Sequence, residues 1–370
     1  MSRVLCIVLD SVGCGNAPDA AEYGDAGADT LGHLFERISG LSLPNLGRLG
    51  LYQLLGLPMV GAIHPDSSWA RLSETSAGKD TTTGHWELMG CALDEPFATF
   101  AMFPADLVAE LERRGGVEFI GNFASSGTEI LVRLGEEHLR TGKPIVYTSA
   151  DSVLQIAAHE DGFGLDRLWN LCKTARELLD ERGIRIGRVI ARPFLGNSAA
   201  DFKRTGNRHD YSLMPGETLL NRLQAAAVKT LGVGKISDIF AGSGISESHP
   251  TQSNAEGMAV IGRLWAEERG EPHFIFANLV DFDSLYGHRR DPEGYAGCLR
   301  EFDEWLGGFI RQVTPDDVVI LTADHGNDPY HPGTDHTREQ VPVLALGLKV
   351  EDAGFAAVSE WIGRAFGLEE

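Results

Sequence analysis

From residue 322 the chain reads Thr322-Ala-Asp-His-Gly-Asn-Asp-Pro-Tyr-His-Pro-Gly-Thr-Asp-His-Thr-Arg338, and this stretch decides how we interpret the rest of the 370-residue sequence. It begins where an apolar run ends, which is the pattern of a buried strand that delivers polar side chains to the carboxyl edge of an α/β sheet. Carboxylates and imidazoles there are ligands for Mn, Zn, Mg or Fe rather than for soft metals. A surface loop rich in Asp and His is the alternative, but such loops scatter their charges, whereas Asp324 and His325 follow the strand directly. The stretch therefore predicts a metal site.

Two other apolar runs end in the same way. Residues 3–9 lead to Asp10, and residues 273–280 lead to a segment that contains Asp283 and His288. Taken alone, the first of these acids is consistent with a metal ligand, an aspartyl nucleophile or a helix N-cap. Phosphotransferases with an aspartyl nucleophile usually carry a second Asp two positions later, where this chain has valine, so we favour a metal ligand.

Three strand ends thus supply carboxylates and imidazoles for one site. The predicted ligands are Asp10, Asp283, His288, Asp324, His325 and His336. Six ligands are too many for one catalytic ion that keeps an open coordination position, but they suit two ions about 4 Å apart. Such a pair would clamp a phosphoryl group and activate an oxygen nucleophile.

A threonine-rich stretch supplies a candidate nucleophile. It reads Gly78-Lys-Asp-Thr-Thr-Thr-Gly-His-Trp-Glu87, with three consecutive threonines between glycines. A hydroxyl at a loop-to-helix junction becomes a nucleophile when a metal or a base lowers its pKa and the helix N-terminus accommodates an anion. The same residues also suit an N-cap followed by a Ser/Thr-rich turn. On this stretch alone the two interpretations are equally supported.

The middle of the chain, residues 97–213, interrupts the segments that look catalytic and has an α+β pattern of its own, so we predict an inserted cap domain. Its later part is basic, which indicates either an anion site or a solvated basic face. Asp151 follows a predicted strand and is consistent either with binding sugar hydroxyls or with capping the next helix. The basic residues are Arg185, Arg188, Arg192, Lys203, Arg204, Arg208 and His209.

The charge, the cysteine content and the apolar stretches of the chain indicate its kind of partner and its compartment. A formal net charge of −21 argues against nucleic acid or an anionic membrane as partner. The 5 cysteines are widely spaced and form no C-x-x-C pair, which is typical of reduced thiols rather than of a disulfide framework. There is no signal-peptide pattern and no apolar stretch near the ~20 residues that span a bilayer. We expect a cytoplasmic protein with no obligate protein partner.

The chain resembles the bacterial phosphopentomutases, a family of the alkaline phosphatase superfamily, over nearly its whole length. The matching motifs are Asp10-Ser-Val-Gly13, Gly78-Lys-Asp-Thr-Thr-Thr-Gly-His-Trp-Glu87, Tyr147-Thr-Ser-Ala-Asp-Ser-Val-Leu-Gln-Ile156, Arg192-Pro-Phe194, Asn207-Arg-His-Asp-Tyr211, Gly234-Lys-Ile-Ser-Asp-Ile239, Asp281-Phe-Asp-Ser-Leu-Tyr-Gly-His-Arg-Arg-Asp-Pro292 and Ala323-Asp-His-Gly-Asn-Asp-Pro-Tyr-His-Pro-Gly-Thr-Asp-His-Thr-Arg338. The last two strings are long and highly specific.

The resemblance implies an alkaline-phosphatase-like α/β fold. The core, residues 1–96 and 214–370, would hold a central, mostly parallel sheet flanked by helices, with the smaller cap at residues 97–213. Two Mn²⁺ ions per chain are implied. One would be held by Asp283, His288 and His336, and the other by Asp10, Asp324 and His325 together with a phosphorylated threonine.

By motif position that threonine is Thr81, and the residues that fall where the family contacts its sugar phosphate are Asp151, Arg192, Arg208 and Lys235. The implied reaction interconverts ribose 1-phosphate or deoxyribose 1-phosphate with the 5-phosphate. It passes through a phosphothreonine enzyme and a bisphosphate, with glucose 1,6-bisphosphate as activator.

Three other functions remain alternatives. A metal-dependent phosphatase or a phosphoglycerate-type mutase of the same superfamily would share the metal ligands, although a hydrolase does not need a long basic cap. A non-catalytic sugar-phosphate sensor would be expected to lack a ligand or the nucleophile. A dinucleotide-dependent enzyme is disfavoured because Gly13-x-Gly15 lacks the third glycine of the fingerprint.

Overall fold

The computed structural model describes residues 3–58, 61–149, 152–267 and 270–368. The strands are β1 (Arg3–Leu9), β2 (Ser67–Ser73), β3 (Ile120–Ala124), β4 (Ile145–Thr148), β5 (Val153–His159), β6 (Arg188–Leu195), β7 (Lys203–Arg204), β8 (His209–Ser212), β9 (Lys229–Val233), β10 (Glu247–His249), β11 (His273–Leu279), β12 (Val318–Thr322), β13 (Val341–Leu346) and β14 (Ala353–Gly354). The α-helices are α1 (Thr30–Arg37), α2 (Pro44–Arg48), α3 (Leu51–Leu54), α4 (Thr81–Leu88), α5 (Ala105–Gly115), α6 (Glu129–Thr141), α7 (Glu160–Phe163), α8 (Leu165–Glu181), α9 (Leu219–Ala225), α10 (Ile236–Ile239), α11 (Asn254–Glu267), α12 (Pro292–Phe309) and α13 (Ala357–Ala365).

The chain divides into two compact units, one formed by Met1–Pro96 with Pro215–Glu370 and the other by Phe97–Met214. The first unit holds an eight-stranded sheet in the order β10-β9-β11-β1-β12-β13-β2-β14. Strands β10, β9, β11, β1 and β12 are parallel neighbours, and β13 runs antiparallel to both β12 and β2. The sheet is mostly parallel, as the sequence predicted.

Burial explains why the central strands read as continuous apolar runs. Every residue of β11 and β12 is buried, and only the first residue of β1 is partly exposed. Helix α11 packs on β11 and α9 packs on β9, so helices cover the sheet. A parallel sheet covered in this way needs apolar side chains on both faces, which removes the alternation seen in half-exposed strands.

Helix α12 begins with an aspartate N-cap followed by proline. The Asp291 side chain accepts a hydrogen bond from Gly294 N at 2.9 Å, and Pro292 occupies the first helical position. Its buried face includes Tyr295, Leu299 and Phe302. The helix therefore follows directly from the segment that contains Asp283 and His288.

The second unit is an α+β domain with a mixed six-stranded sheet, in which β3-β4-β5-β6-β7 are neighbours and β8 also pairs with β6. Helix α8 packs on β6, and its Cys172, Ala175 and Leu179 belong to this unit's own core. The unit thus has a hydrophobic centre separate from that of the large sheet.

Several strands were not predicted from the sequence, among them β2 and β5. In β2, buried and half-exposed residues alternate irregularly and Arg71 interrupts the apolar pattern, so the sequence gives no clear strand pattern there. Strand β5 begins at Val153, only two residues after Asp151, and leaves no room for a helix there. Asp151 itself is outside the described residues, and the element that follows it is this strand. Within the described residues, no helix is both long and apolar enough to span a bilayer.

An ion pair joins the first residue of β1 to the residue directly before β12. Arg3 Nε and Nη2 donate to Asp317 Oδ1 and Oδ2 at 2.8 and 2.6 Å, and the guanidinium lies 4.3 Å from the ring centroid of Trp265. Burial alone would raise the pKa of Asp317, but the hydrogen bonds from Arg3 and Thr314 outweigh it and hold the pKa below its ordinary value. The folded state therefore favours the charged acid.

We expect Asp317→Asn to lower the free energy of unfolding at pH 7 by about 1–3 kcal/mol, because it removes a charge-assisted bidentate contact. A carboxyl whose pKa is lowered by folding stabilises the protein above its unfolded value and loses this effect as pH falls through the folded pKa. Urea unfolding at pH 7 and at acid pH should show the difference between the variant and the parent shrinking in acid. A difference that is constant with pH would contradict this account.

Candidate active site

Three parallel strands place the predicted ligands at one edge of the large sheet. Strand β1 lies between β11 and β12, and their registers align Leu9 with Leu279 and Val8 with Thr322. Because the strands are parallel, Asp10 and the segments after β11 and β12 emerge side by side. The segment after β11 is a π-helical turn, Phe282–Gly287, of a kind frequent at functional sites.

One group of side chains comes from the segments after β11 and β12. Nε2 of His288 lies 3.1 Å from Oδ2 of Asp283, and Nε2 of His336 lies 3.4 Å from Oδ1 of the same acid. The two Nε2 atoms are 3.1 Å apart. His288 is exposed, His336 is half-buried and Asp283 is buried, so this side of the site opens to solvent.

A second, fully buried group joins the ends of β1 and β12. Nε2 of His325 lies 3.4 Å from Oδ1 of Asp10 and 3.5 Å from Oδ2 of Asp324. The His325 ring also stacks on that of His336, with the centroids 3.8 Å apart. Ligand atoms of Asp283, His325 and His336 lie within 4.8 Å of one another, as do those of Asp10, Asp324 and His325. His325 therefore joins the two groups.

Backbone carbonyls fix the orientation of all three imidazoles. Nδ1 of His288, His325 and His336 lies 2.7, 3.0 and 3.0 Å from the carbonyl oxygens of Thr334, Gly326 and Lys79. A carbonyl only accepts, so each Nδ1 carries a proton and Nε2 is the ring atom that each imidazole presents to the acids, as a donor when the ring is charged and as a lone pair when it is neutral.

The donor set fits a divalent cation. When both rings are neutral, Nε2 lone pairs only 3.1 Å apart repel unless a cation lies between them. Oδ1 of Asp10 and Oδ2 of Asp324 are buried and accept no hydrogen bond from the described residues. A buried carboxylate oxygen left in this way is costly unless a cation satisfies it.

Electrostatics at the site reflect crowded acids. Burial raises the pKa of Asp10, and the charge of Asp324 raises it further. Burial would also raise the pKa of Asp283, but hydrogen bonds from His288 and His336 hold it well below the ordinary value. Burial lowers the pKa of His325, yet the two acids beside it raise it by more. The site is thus built to hold positive charge.

Side chains that the sequence analysis did not single out orient the predicted ligands. Asn278 Nδ2 donates to Oδ2 of Asp10 at 3.0 Å, and Asn327 Nδ2 donates to Oδ1 of Asp283 at 2.7 Å. Such partners orient ligands and tune their basicity. Asn327 lies within the metal-site motif of residues 322–338. Asn278 lies inside an apolar strand, and only the register of that strand with β1 shows that it lies close to Asp10.

Backbone strain marks the end of β1. Ser11 has φ of 74°, in the left-handed region that residues other than glycine rarely adopt. This turn aims Ser11 N at Oδ1 of Asp324, 3.1 Å away, while the carbonyl of Ser11 accepts from the Tyr295 hydroxyl at 2.9 Å. The strained peptide therefore links the acids that end β1 and β12.

Thr81 is the first residue of α4 and reaches the metal-ligand groups. Its Oγ1 lies 3.3 Å from Nε2 of His325, and the helix is capped by Asp80, which accepts from Thr82 N and Thr83 N at 3.0 and 3.2 Å. The N-cap interpretation of this stretch is therefore confirmed for Asp80, and the next residue presents its hydroxyl to His325. The Thr83 hydroxyl donates to Asp80 at 2.5 Å, which turns it away from His325.

Close packing holds α4 against the end of β12. A Cβ atom on Gly84 would lie 2.1 Å from the carbonyl oxygen of Asp324. One turn after Thr81, Nδ1 of His85 lies 2.8 Å from the carbonyl oxygen of Thr81 and 3.1 Å from Oδ2 of Asp324. The distance between the candidate nucleophile and the acid is thus set by direct contacts.

The predicted substrate residues fall into different parts of the structure. Lys235 follows Gly234 at the end of β9, the neighbour of β11, and is exposed at the same sheet edge as the ligands. Arg192 and Arg208 belong to the second unit. Asp151 lies outside the described residues.

Within the second unit, cationic side chains crowd around a buried hydroxyl. Arg192 Nε donates to Gln155 Oε1 at 2.9 Å, and Arg208 Nε donates to Asp210 Oδ1 at 2.6 Å. Burial lowers the pKa of Arg192, and the neighbouring Arg208 lowers it further. The hydroxyl of Tyr147, a residue that the sequence analysis did not propose for the site, is buried and has no hydrogen-bond partner among the described residues. The guanidinium groups repel one another, and a bound anion would offset this repulsion and accept their hydrogen bonds.

A model of the metalloenzyme superfamily matches residues 2–364 of the chain. A phosphopentomutase from Symbiobacterium thermophilum is 56% identical over 350 residues, which cover 93% of this chain and 88% of that protein. The chain belongs to the phosphopentomutase family. A second phosphopentomutase, from Syntrophotalea carbinolica, is 53% identical over 346 residues, covering 92% of this chain and 87% of that protein.

Among solved structures, the PH0037 protein from Pyrococcus horikoshii matches with a TM-score of 0.50 and 14% identity, over 99% of this chain and 97% of that one. At this identity the match concerns the fold alone. Phosphopentomutases of this family are metal-dependent enzymes of the alkaline-phosphatase-like α/β fold, as the sequence resemblance implied.

Proposed function

We propose that this chain is an isomerase that interconverts ribose 1-phosphate or deoxyribose 1-phosphate with the 5-phosphate, through a phosphothreonine and a bisphosphate. The observation that supports this most is the position of Thr81, whose Oγ1 lies 3.3 Å from Nε2 of His325, the imidazole shared by both ligand groups. A hydroxyl at a helix N-terminus beside a cation site is suited to carry a phosphoryl group.

In the proposed reaction, the phosphoryl group on Oγ1 of Thr81 moves to the free hydroxyl of a pentose monophosphate. The Oγ1–P bond breaks, a P–O bond forms at the hydroxyl oxygen, and the proton that this hydroxyl loses ends on Oγ1. The bisphosphate then reorients, and its other phosphate returns to Oγ1. Glucose 1,6-bisphosphate loads the threonine at the start.

The metal ligands follow the division implied by the family. Asp283, His288 and His336 would hold one Mn²⁺. Asp10, Asp324 and His325 would hold the other. When bound, these ions supply positive charge that offsets the phosphoryl charge. The chain's own contribution is to aim the Nε2 lone pairs and carboxylate oxygens at one place before the substrate arrives.

The second unit would act as the cap, residues 97–213. Its Arg192 and Arg208, with Arg204 and the hydroxyl of Tyr147, would bind the phosphate that is not being transferred. An arginine fork matches phosphate oxygens, and a dianion would relieve the like-charge crowding at Arg192. Asp151 and Lys235 would contact the sugar phosphate.

Phosphorus NMR tests the proposal in one assay. The protein is mixed with ribose 1-phosphate, Mn²⁺ and a trace of glucose 1,6-bisphosphate, with a chelated sample as control. We expect conversion to ribose 5-phosphate, negligible inorganic phosphate, and no conversion in the chelated sample. Accumulating inorganic phosphate would instead indicate a hydrolase, and no change with metal present would overturn both the substrate and the activity.

A further inference from the structure

Glu339 is a fully buried acid that lies three residues after His336 and has no part in the proposed reaction. Its carboxylate accepts hydrogen bonds from two other segments of the chain and from its own segment. Oε2 accepts from the backbone N–H groups of Thr30 and Gly15 at 2.8 and 3.3 Å. Oε1 accepts from the hydroxyls of Thr30 and Thr337, each at 2.7 Å.

Those two hydroxyls have a fixed direction. Thr30 Oγ1 accepts from Asn327 N at 3.3 Å, and Thr337 Oγ1 accepts from Asp328 N at 3.1 Å. Each hydroxyl therefore turns its own proton towards Oε1. Both oxygens of Glu339 face donors only, which is the environment of an ionised carboxylate rather than of a carboxylic acid.

Two glycines next to the predicted metal ligands leave space for the Glu339 side chain. A Cβ atom on Gly13 would lie 2.2 Å from Oε2 of Glu339, and one on Gly326 would lie 2.3 Å from Oε1. Gly13 lies three residues after Asp10, and Gly326 directly follows His325. The glycines of both motifs thus leave room for this carboxylate.

The ionised carboxylate of Glu339 does not stabilise the folded protein. Burial raises the pKa of Glu339 to about 7, although the hydrogen bonds from Thr30 and Thr337 act in the opposite direction. A carboxyl whose pKa is raised by folding makes the folded state less stable as pH rises from its unfolded value to its folded one. The ionised group therefore costs folding free energy at neutral pH.

We propose that Glu339 is a positioning residue of the metal centre, whose carboxylate ties the loop after β1, the start of α1 and the segments after β12 into one rigid frame. The frame holds Asp10, His325 and His336 at the spacing in which they bind metal. This inference rests on the proposed metal-binding function and extends it to a residue that touches neither metal nor substrate.

The test is Mn²⁺ binding to the metal-stripped protein, measured by calorimetry at a temperature where each variant is folded by circular dichroism. Glu339→Gln keeps the shape but places an amide N–H group against donors. We expect its Kd for Mn²⁺ to rise about 10- to 100-fold, the usual effect of removing a group that orients ligands. A Kd equal to that of the parent, with only the melting temperature changed, would overturn the proposal.

The matched control is Asp303→Asn. Asp303 is also buried and accepts from Leu46 N and Asn45 N at 2.7 and 3.2 Å, but it ties α12 to α2 and not to the ligand loops. Its variant should leave the Kd unchanged. A rise as large as that of the Glu339 variant would show a general effect of losing a buried charge and would also overturn the proposal.

A second pair keeps the test decisive if Glu339→Gln does not fold. Thr337→Val removes one donor to the carboxylate at nearly constant volume, and Thr337→Ser restores it. We expect a raised Kd in the first variant and recovery in the second, and equal values in both would count against the frame. Parent protein that binds no Mn²⁺ would overturn this inference together with the metal part of the proposed function. Intact Mn²⁺ binding without mutase activity would overturn only the proposed mutase activity.

Discussion

Thr81→Ala should abolish phosphorylation of the protein and lower kcat by at least about 10⁴-fold, the scale seen when a nucleophile is removed. The reason is chemical, because both half-reactions form or break a bond at Oγ1 and no other threonine hydroxyl of α4 is placed to replace it. Thr83 donates its hydroxyl to Asp80, and the contact with Nε2 of His325 belongs to Thr81.

Intact-protein mass spectrometry after incubation with glucose 1,6-bisphosphate reports the phosphoryl group, and steady-state kinetics report kcat. Thr82→Ala is the matched control, since it removes the neighbouring methyl and hydroxyl without touching His325, and it should keep both phosphorylation and most of the activity. Thr81→Ser should restore phosphorylation. Full activity in Thr81→Ala would contradict the assignment of Thr81 as the nucleophile.

Gly84→Ala should lower kcat by about 10²-fold, the effect of misplacing a reacting group by about 1 Å. Its new Cβ would lie 2.1 Å from the carbonyl oxygen of Asp324, a backbone atom at the end of a buried strand that cannot move aside. The helix must shift instead, and Thr81 shifts with it. Helix propensity alone predicts a more stable protein, because replacing glycine with alanine inside a helix raises the free energy of unfolding by about 1 kcal/mol.

Gly262→Ala separates the two effects. Gly262 lies in α11, and a Cβ atom there meets nothing within 4 Å. This variant should leave kcat unchanged and raise the free energy of unfolding by about 0.5–1 kcal/mol. Kinetics and urea unfolding of both variants give the comparison, and a Gly84→Ala protein with the activity of the parent would show that the contact does not position Thr81.

The sequence predicted much of this architecture because strand ends are readable locally. A continuous apolar run followed by Asp, as at Asp10 and Asp324, reports a parallel strand and the edge to which it leads. Strand β2 lacked such a run, and β5 followed β4 too closely to be told apart from its continuation. Both of these strands are stabilised by neighbours whose positions the local pattern does not report.

For the site, too, some features could be predicted from the local sequence and others depend on contacts between distant segments. By itself the sequence determined which side chains were available at each strand end and, through long specific motifs, the phosphopentomutase family. Only the tertiary structure showed that the imidazoles present their Nε2 atoms inward, that Asn278 serves Asp10, and that Glu339 connects three loops. These contacts join residues up to hundreds of positions apart, and their geometry follows from strand register and backbone carbonyl directions, which no local pattern of residue types encodes.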